Sequence, residues 1–147
     1  MKEIKVNSSA SLNEPQRRGL SATFRILEEM MYEIEIMINS DGFEGNLIVI
    51  DNDISPQAME KIVKKIQLVR DKVGRLSKQF TFEIKQTKTS SQILADLSYC
   101  WETLEGSKAK KLRGYGEVAE GLEEVLDPQI NTIIDLITEM ENILKRS

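Results

Sequence analysis

The sequence predicts an all-α protein, an antiparallel four-helix bundle with coiled-coil-like packing built from two longer and two shorter helices. Three observations predict it. Apolar residues recur in alternating steps of three and four, the spacing of a single helix face. The segments that carry this spacing begin or end at residues that favour helix termini. Acidic and basic side chains are also segregated into blocks that two neighbouring helices would set side by side: eight acids and no base between Glu28 and Asp53, then nine bases and two acids between Lys61 and Lys88.

The first helix carries its seam at Leu20, Phe24, Leu27, Met31, Ile34 and Ile38. Its start is expected near Ser11 or Asn13, because Ser11-x-x-Glu14 has the form of a capping box and Pro15 falls in the first turn, where a missing N–H is harmless. Its end is expected near Asn39, before Asp41 and Gly42. Tyr32 to Ile36 alternates as a strand would, but the longer helical register contains it. Residues 1–12 read as an extended or disordered arm ahead of one domain spanning 1–147.

Between Asp41 and Ile54, glycines, asparagines and aspartates surround Leu47-Ile48-Val49-Ile50, a connection expected to dip once into the core. A strand there would have no partner. Ser55-Pro56 supplies an N-cap and a proline at the first helical position, so a second helix starts there, with its seam at Met59, Ile62, Ile66, Val69, Val73, Leu76 and Phe80. Past Ile84 the apolar pattern thins through residues 85–91, and Thr89-x-x-Gln92 offers a cap for a third helix along Leu94, Leu97, Trp101 and Leu104. A turn belongs here, since one rod through to Leu104 would reach roughly 74 Å at ~1.5 Å per residue. Gly106 is read as the C′ residue of the third helix.

A basic loop follows, with Lys108, Lys110, Lys111 and Arg113, and then an acidic stretch from Glu117 to Asp127 that resembles a short amphipathic helix. Asp127-Pro128 is read as N-cap and first helical position of the last helix, whose seam is Ile130, Ile133, Ile137, Met140 and Leu144. Further apolar groups, Ile26, Met30, Ile36, Met37, Val63 and Ile134, widen the sticky faces beyond a two-helix stripe, so a four-way core or an oligomer is required.

Composition narrows the chemistry. The chain has 147 residues, no histidine and one cysteine, Cys100. Without histidine there is no imidazole base and no Glu-x-x-His metal motif. A lone thiol forms no internal disulfide, which with the absence of an apolar leader at the start points to the cytoplasm. No apolar run approaches the ~18 residues that cross a bilayer. Cys100 and Trp101 fall near the core in the helical register, and the methionines, among them Met30, Met31 and Met37, are assigned to core filling.

Three groups of residues carry candidate chemistry. Glu29 and Glu33, with Glu120 and Glu123, have the spacing of paired carboxylates that hold Mg²⁺ in all-α nucleotide hydrolases. Lys61, Lys64, Lys65, Lys72, Arg75 and Lys78 form a stripe able to neutralise nucleic-acid phosphates, against which stand a net charge of −4 and no interleaved aromatic. Lys108, Lys110, Lys111, Arg113 and Tyr115 form a loop suited to an anion or a partner. The expectation is an intracellular helical module for protein–protein interaction or regulation, self-associating or bound to a protein partner. It has no resident cofactor and no membrane segment. The metal-dependent hydrolase and the nucleic-acid binder are its alternatives.

Overall fold

The computed structural model describes residues 11–146. The described chain is mostly helical, in the order α1 (Glu14–Ile38), β1 (Phe43–Glu44), β2 (Val49–Ile50), α2 (Pro56–Phe80), α3 (Thr89–Glu105), a 3-10 helix (Ala109–Tyr115) and α4 (Leu122–Arg146). Of the arm expected over about 1–12, residues 1–10 lie outside the described residues. The chain divides into two compact units that meet in sequence between Ile84 and Lys85.

In the first unit, α1 opens at Asn13, whose side chain accepts from the Gln16 N–H at 2.8 Å while the Gln16 side chain accepts from the Asn13 N–H at 3.1 Å. The reciprocal box is therefore made two residues later than Ser11-x-x-Glu14 would make it. The helix closes at Asn39 as the sequence indicates. Contacts between α1 and α2 run in opposite chain order, Arg17 to Phe80 and Glu35 to Arg70, so the pair is antiparallel. Ile38, Ile66 and Val73 are the buried apolar residues of this pair, and Phe24, Leu27, Met31 and Ile34 are half-buried beside them.

The connection departs from expectation. Phe43–Glu44 pairs antiparallel with Val49–Ile50, and the Gly45 N–H donates to the Ile48 carbonyl at 2.8 Å around Asn46-Leu47. The lone strand thus has a partner, and the apolar patch does not dip into the core: Leu47 is wholly exposed. Neither Asn46 nor Leu47 has the positive φ of a primed hairpin turn, so the strands splay after two residues each. Asn52 fastens the hairpin's far end, donating to the carbonyls of Ile38 at 3.0 Å and Ser40 at 2.7 Å and accepting from the Ile54 N–H at 3.2 Å.

Helix α2 begins at Ser55-Pro56, with the Ser55 hydroxyl accepting from the Ala58 N–H, but it stops at Phe80, short of Ile84. Thr81 adopts φ 56°, the left-handed conformation, and the Phe82 N–H reaches back to the Ser77 carbonyl at 3.0 Å. This six-to-one bond is the Schellman closure. Sequence rules look for glycine there. Here a β-branched residue is held by aromatic packing, with Phe82 stacked on Phe24 at 5.9 Å and on Phe80 at 6.1 Å between ring centroids.

In the second unit α3 starts at Thr89 with Lys88 as its cap residue and no side-chain cap, so the Thr89-x-x-Gln92 box is not made. Gly106 has φ −73°, right-handed, and is not a left-handed C′ residue. The basic loop winds into a 3-10 helix whose Ala109 is 1% exposed. Helix α4 does not start at Asp127-Pro128; it runs from Leu122 straight through Pro128, because the Asp127 carboxylate caps the 3-10 helix instead, accepting from the Ala109 N–H at 2.9 Å. Among the described residues, three α-helices thus have 25 residues and α3 has 17. Leu97 of α3 and Ile130 and Ile134 of α4 are buried. The inner seam of α4 passes through Ile134, while Ile133 and Met140 face outward. Cys100 is exposed, not a core thiol, and Trp101 keeps 42% of its surface. Met30 and Met37 are likewise exposed and fill no core.

Candidate functional site

A pair of helices buries one stripe from each partner and leaves any wider apolar face in water. In the first unit that remainder is organised. Met31 and Ile34 of α1 and Ile62, Ile66 and Val69 of α2 line an apolar groove of about 290 Å³, bordered by Lys61 and Lys65. At ~100° per residue, Ile26, Met30 and Met37 fall within about 40° of one another on α1, on the flank beside Ile34. All three are more than half exposed. Glu29 and Glu33 lie just beyond them on the same wheel and are exposed. The face therefore has an apolar centre, an acidic rim on α1 and a basic rim on α2. Among the described residues none of Glu29, Glu33, Lys61 and Lys65 makes an ion pair.

Among the described residues the charge blocks meet once inside the unit. Arg70 of α2 donates to both carboxylate oxygens of Glu35 of α1 from its two terminal guanidinium nitrogens, Nη2 at 2.8 Å and Nη1 at 3.3 Å. The Glu35 hydrogen bond, reinforced by the charges of Glu35 and Glu28, raises the Arg70 pKa above its ordinary value. This fork sets the register of the two helices.

A second concavity, about 260 Å³, lies at the other end of the pair, lined by Glu14, Arg17, Arg18, Ser21 and Arg25 of α1 with Glu83 from the segment after α2. Arg17 pairs with Glu14 and donates from Nε to the Phe80 carbonyl at 3.0 Å. Sequence reading misses this cleft. Its arginines look like ordinary surface charge, and Glu83 reaches it from a segment distant in sequence, so no local signal marks it.

The carboxylates singled out for metal fall in different units. Glu29 and Glu33 stand exposed on α1; Glu120 lies in the turn before α4 and Glu123 in its first turn, where the helix dipole favours acids. Among the described residues no group of three or more His, Cys, Asp or Glu side chains is placed to hold a metal. In the basic loop, Lys108 is half-buried and bound to Glu105 at 3.1 Å, whereas Lys110, Lys111, Arg113 and Tyr115 are exposed along the 3-10 helix. No described helix is long and apolar enough to cross a membrane. Comparison with protein-family models, curated proteins and solved structures finds no match to this chain.

Proposed function

We propose that the chain is a cytoplasmic interaction module that pairs with a second copy of itself through the α1–α2 face, the two helix pairs together completing an antiparallel four-helix core with coiled-coil-like packing. The observation that carries this is the layout of the face: an apolar centre with acids along one edge and lysines along the other that make no ion pair among the described residues. A two-fold axis running parallel to the helices lays the acidic edge of each copy on the basic edge of the other, which is the self-complementarity an isologous dimer needs. The threes-and-fours spacing of Met31, Ile34 and Ile38 against Ile62, Ile66 and Val69 suits the shallow crossing of about +20° found in bundles. An exposed free thiol at Cys100 accords with a reducing compartment.

Sedimentation velocity over a concentration series tests the reading. The expected result is a reversible species of twice the 16.8 kDa chain mass that Met30→Glu with Met37→Glu converts to the single chain. Both methionines are exposed, so helix content should not change in the variant. A single-chain mass at every concentration, or a dimer indifferent to the double substitution, would overturn it.

A further inference from the structure

The hairpin between α1 and α2 is amphipathic across its two faces. Phe43 stands directly opposite Ile50, and the Gly45–Ile48 bond continues that register, so Phe43, Ile48 and Ile50 share one face while Glu44 and Val49 share the other. The Phe43 ring lies over Gly45, where a Cβ would come within 2.6 Å of it; the glycine makes room for the ring to spread along the strand. Phe43, Ile48 and Ile50 each keep 55% to 58% of their surface, so the helices do not cover this face. Among the described residues the sheet has two strands, and a two-stranded ribbon with an open apolar face is marginal in water.

Symmetry places a second such face beside it. The two-fold axis of the dimer runs parallel to the helices, and rotation about that axis leaves height along it unchanged. The hairpin sits at the end of the pair where α1 closes and α2 opens, tied there by Asn52 to the carbonyls of Ile38 and Ser40. Both hairpins therefore reach the same end of the dimer. A two-fold axis lying across the helices would send them to opposite ends, and it would also lay acidic edge on acidic edge.

We propose that the two hairpins stack on each other through Phe43, Ile48 and Ile50, a second contact of the dimer continuous with the α1–α2 face. The inference rests on the self-association reading. Glu44 leaves from the face turned away from this contact, so stacking does not set the two Glu44 carboxylates against each other. Asp41, Asp51 and Asp53 are exposed, where salt screens their like charge. The same acids make no ion pair among the described residues and oppose an anionic bilayer as the occupant.

Spin labels at the hairpin tip test it, on the full chain carrying Leu47→Cys with Cys100→Ser to remove the native thiol. Leu47 is wholly exposed, so the label displaces no packing. Sheets stacked ~10 Å apart hold the two labels within roughly 30 Å of each other. Hairpins at opposite ends of 25-residue helices would hold them beyond ~37 Å. The expected result is one short distance in the dimer, together with a dimer that Phe43→Ser with Ile50→Ser weakens at least tenfold in sedimentation. Val49→Ser, on the other face, should leave distance and affinity unchanged. Ile48→Ser lies outside the paired strand residues and should weaken the dimer several-fold, which keeps the test decisive if the double variant loses the ribbon. A long distance at dimer mass overturns the proposal, leaves the dimer standing and opens the face to a foreign partner. A short distance in a dimer indifferent to the Phe43, Ile48 and Ile50 substitutions overturns it as well. A single-chain mass with no dipolar signal removes the self-association reading itself, and the hairpin contact with it.

Discussion

Asp127 accepts the backbone N–H of Ala109 at 2.9 Å across a separation of eighteen residues, and this bond decides how the second unit is wound. An aspartate before a proline ordinarily caps the helix that the proline begins. Here the carboxylate turns to the 3-10 helix and α4 runs on through Pro128 in both directions. A helix interior tolerates proline only when packing outweighs the lost hydrogen bond and the ring clash, about 3 kcal/mol. Leu122, Leu126, Ile130, Ile134 and Ile137 provide that packing as one buried or half-buried stripe crossing the proline.

Asp127→Ala should therefore cost about 1 to 3 kcal/mol, the penalty of leaving the Ala109 N–H unsatisfied beside a nearly inaccessible residue. Chemical denaturation gives the magnitude, and amide exchange at Ala109 gives the location, with protection lost there first. If Asp127→Ala leaves exchange at Ala109 unchanged, the carboxylate is not its partner.

Thr81 gives a prediction of opposite sign. A β-branched residue at φ 56° is strained, and the left-handed region costs an L-residue roughly 1 to 2 kcal/mol that glycine avoids. Against this, glycine adds up to about 1 kcal/mol of entropy to the unfolded chain. Thr81→Gly should thus raise stability by roughly 0.5 to 1 kcal/mol in denaturant titrations. A loss of similar size would mean that α2 does not end in this turn.

Asn52 makes three hydrogen bonds with one amide, to the carbonyls of Ile38 and Ser40 and from the N–H of Ile54. Asn52→Ala should cost about 2 kcal/mol, since bonds of this kind contribute about 1 kcal/mol each and part of the site is open to water. Asn52→Asp should be nearly as harmful, because a carboxylate cannot donate to the two carbonyls. Equal stability of Asp and Asn at this position would contradict the donor assignment.

Which features are legible in the chain follows from how far away their causes lie. Helix α1 and the start of α2 rest on local causes: the seam from Phe24 to Ile38, the cap at Asn13 and the Ser55-Pro56 pair all act within one or two turns. The end of α2 depends on Phe82 finding Phe24, and the course of α4 depends on Asp127 finding Ala109, contacts between residues distant in sequence. The exposure of Cys100, Met30 and Met37 is illegible for a related reason, since a periodic pattern locates a stripe but not how many neighbours cover it. The charge blocks were legible as blocks. Only the fold shows that Glu35 and Arg70 spend part of them on each other, while Glu29, Glu33, Lys61 and Lys65 make no ion pair among the described residues.

Those four residues give the sharpest test of the self-association reading. Reversing the acidic edge, Glu29→Lys with Glu33→Lys, sets like charge against Lys61 and Lys65 of the second copy, and two-fold symmetry applies the penalty twice. Reversing the basic edge, Lys61→Glu with Lys65→Glu, should do the same. Each pair should weaken the dimer by tenfold or more, equivalent to about 1.4 kcal/mol, with the loss shrinking at high salt. All four reversals in one chain restore opposite signs across the interface and should recover most of the affinity. Mixing the acid-reversed chain with the base-reversed chain poses the remaining question. In such a heterodimer the acid-reversed copy is basic on both edges and its partner acidic on both, so the mixed species should outcompete either homodimer in sedimentation. A fourfold variant weaker than both double variants would place these edges away from any shared surface.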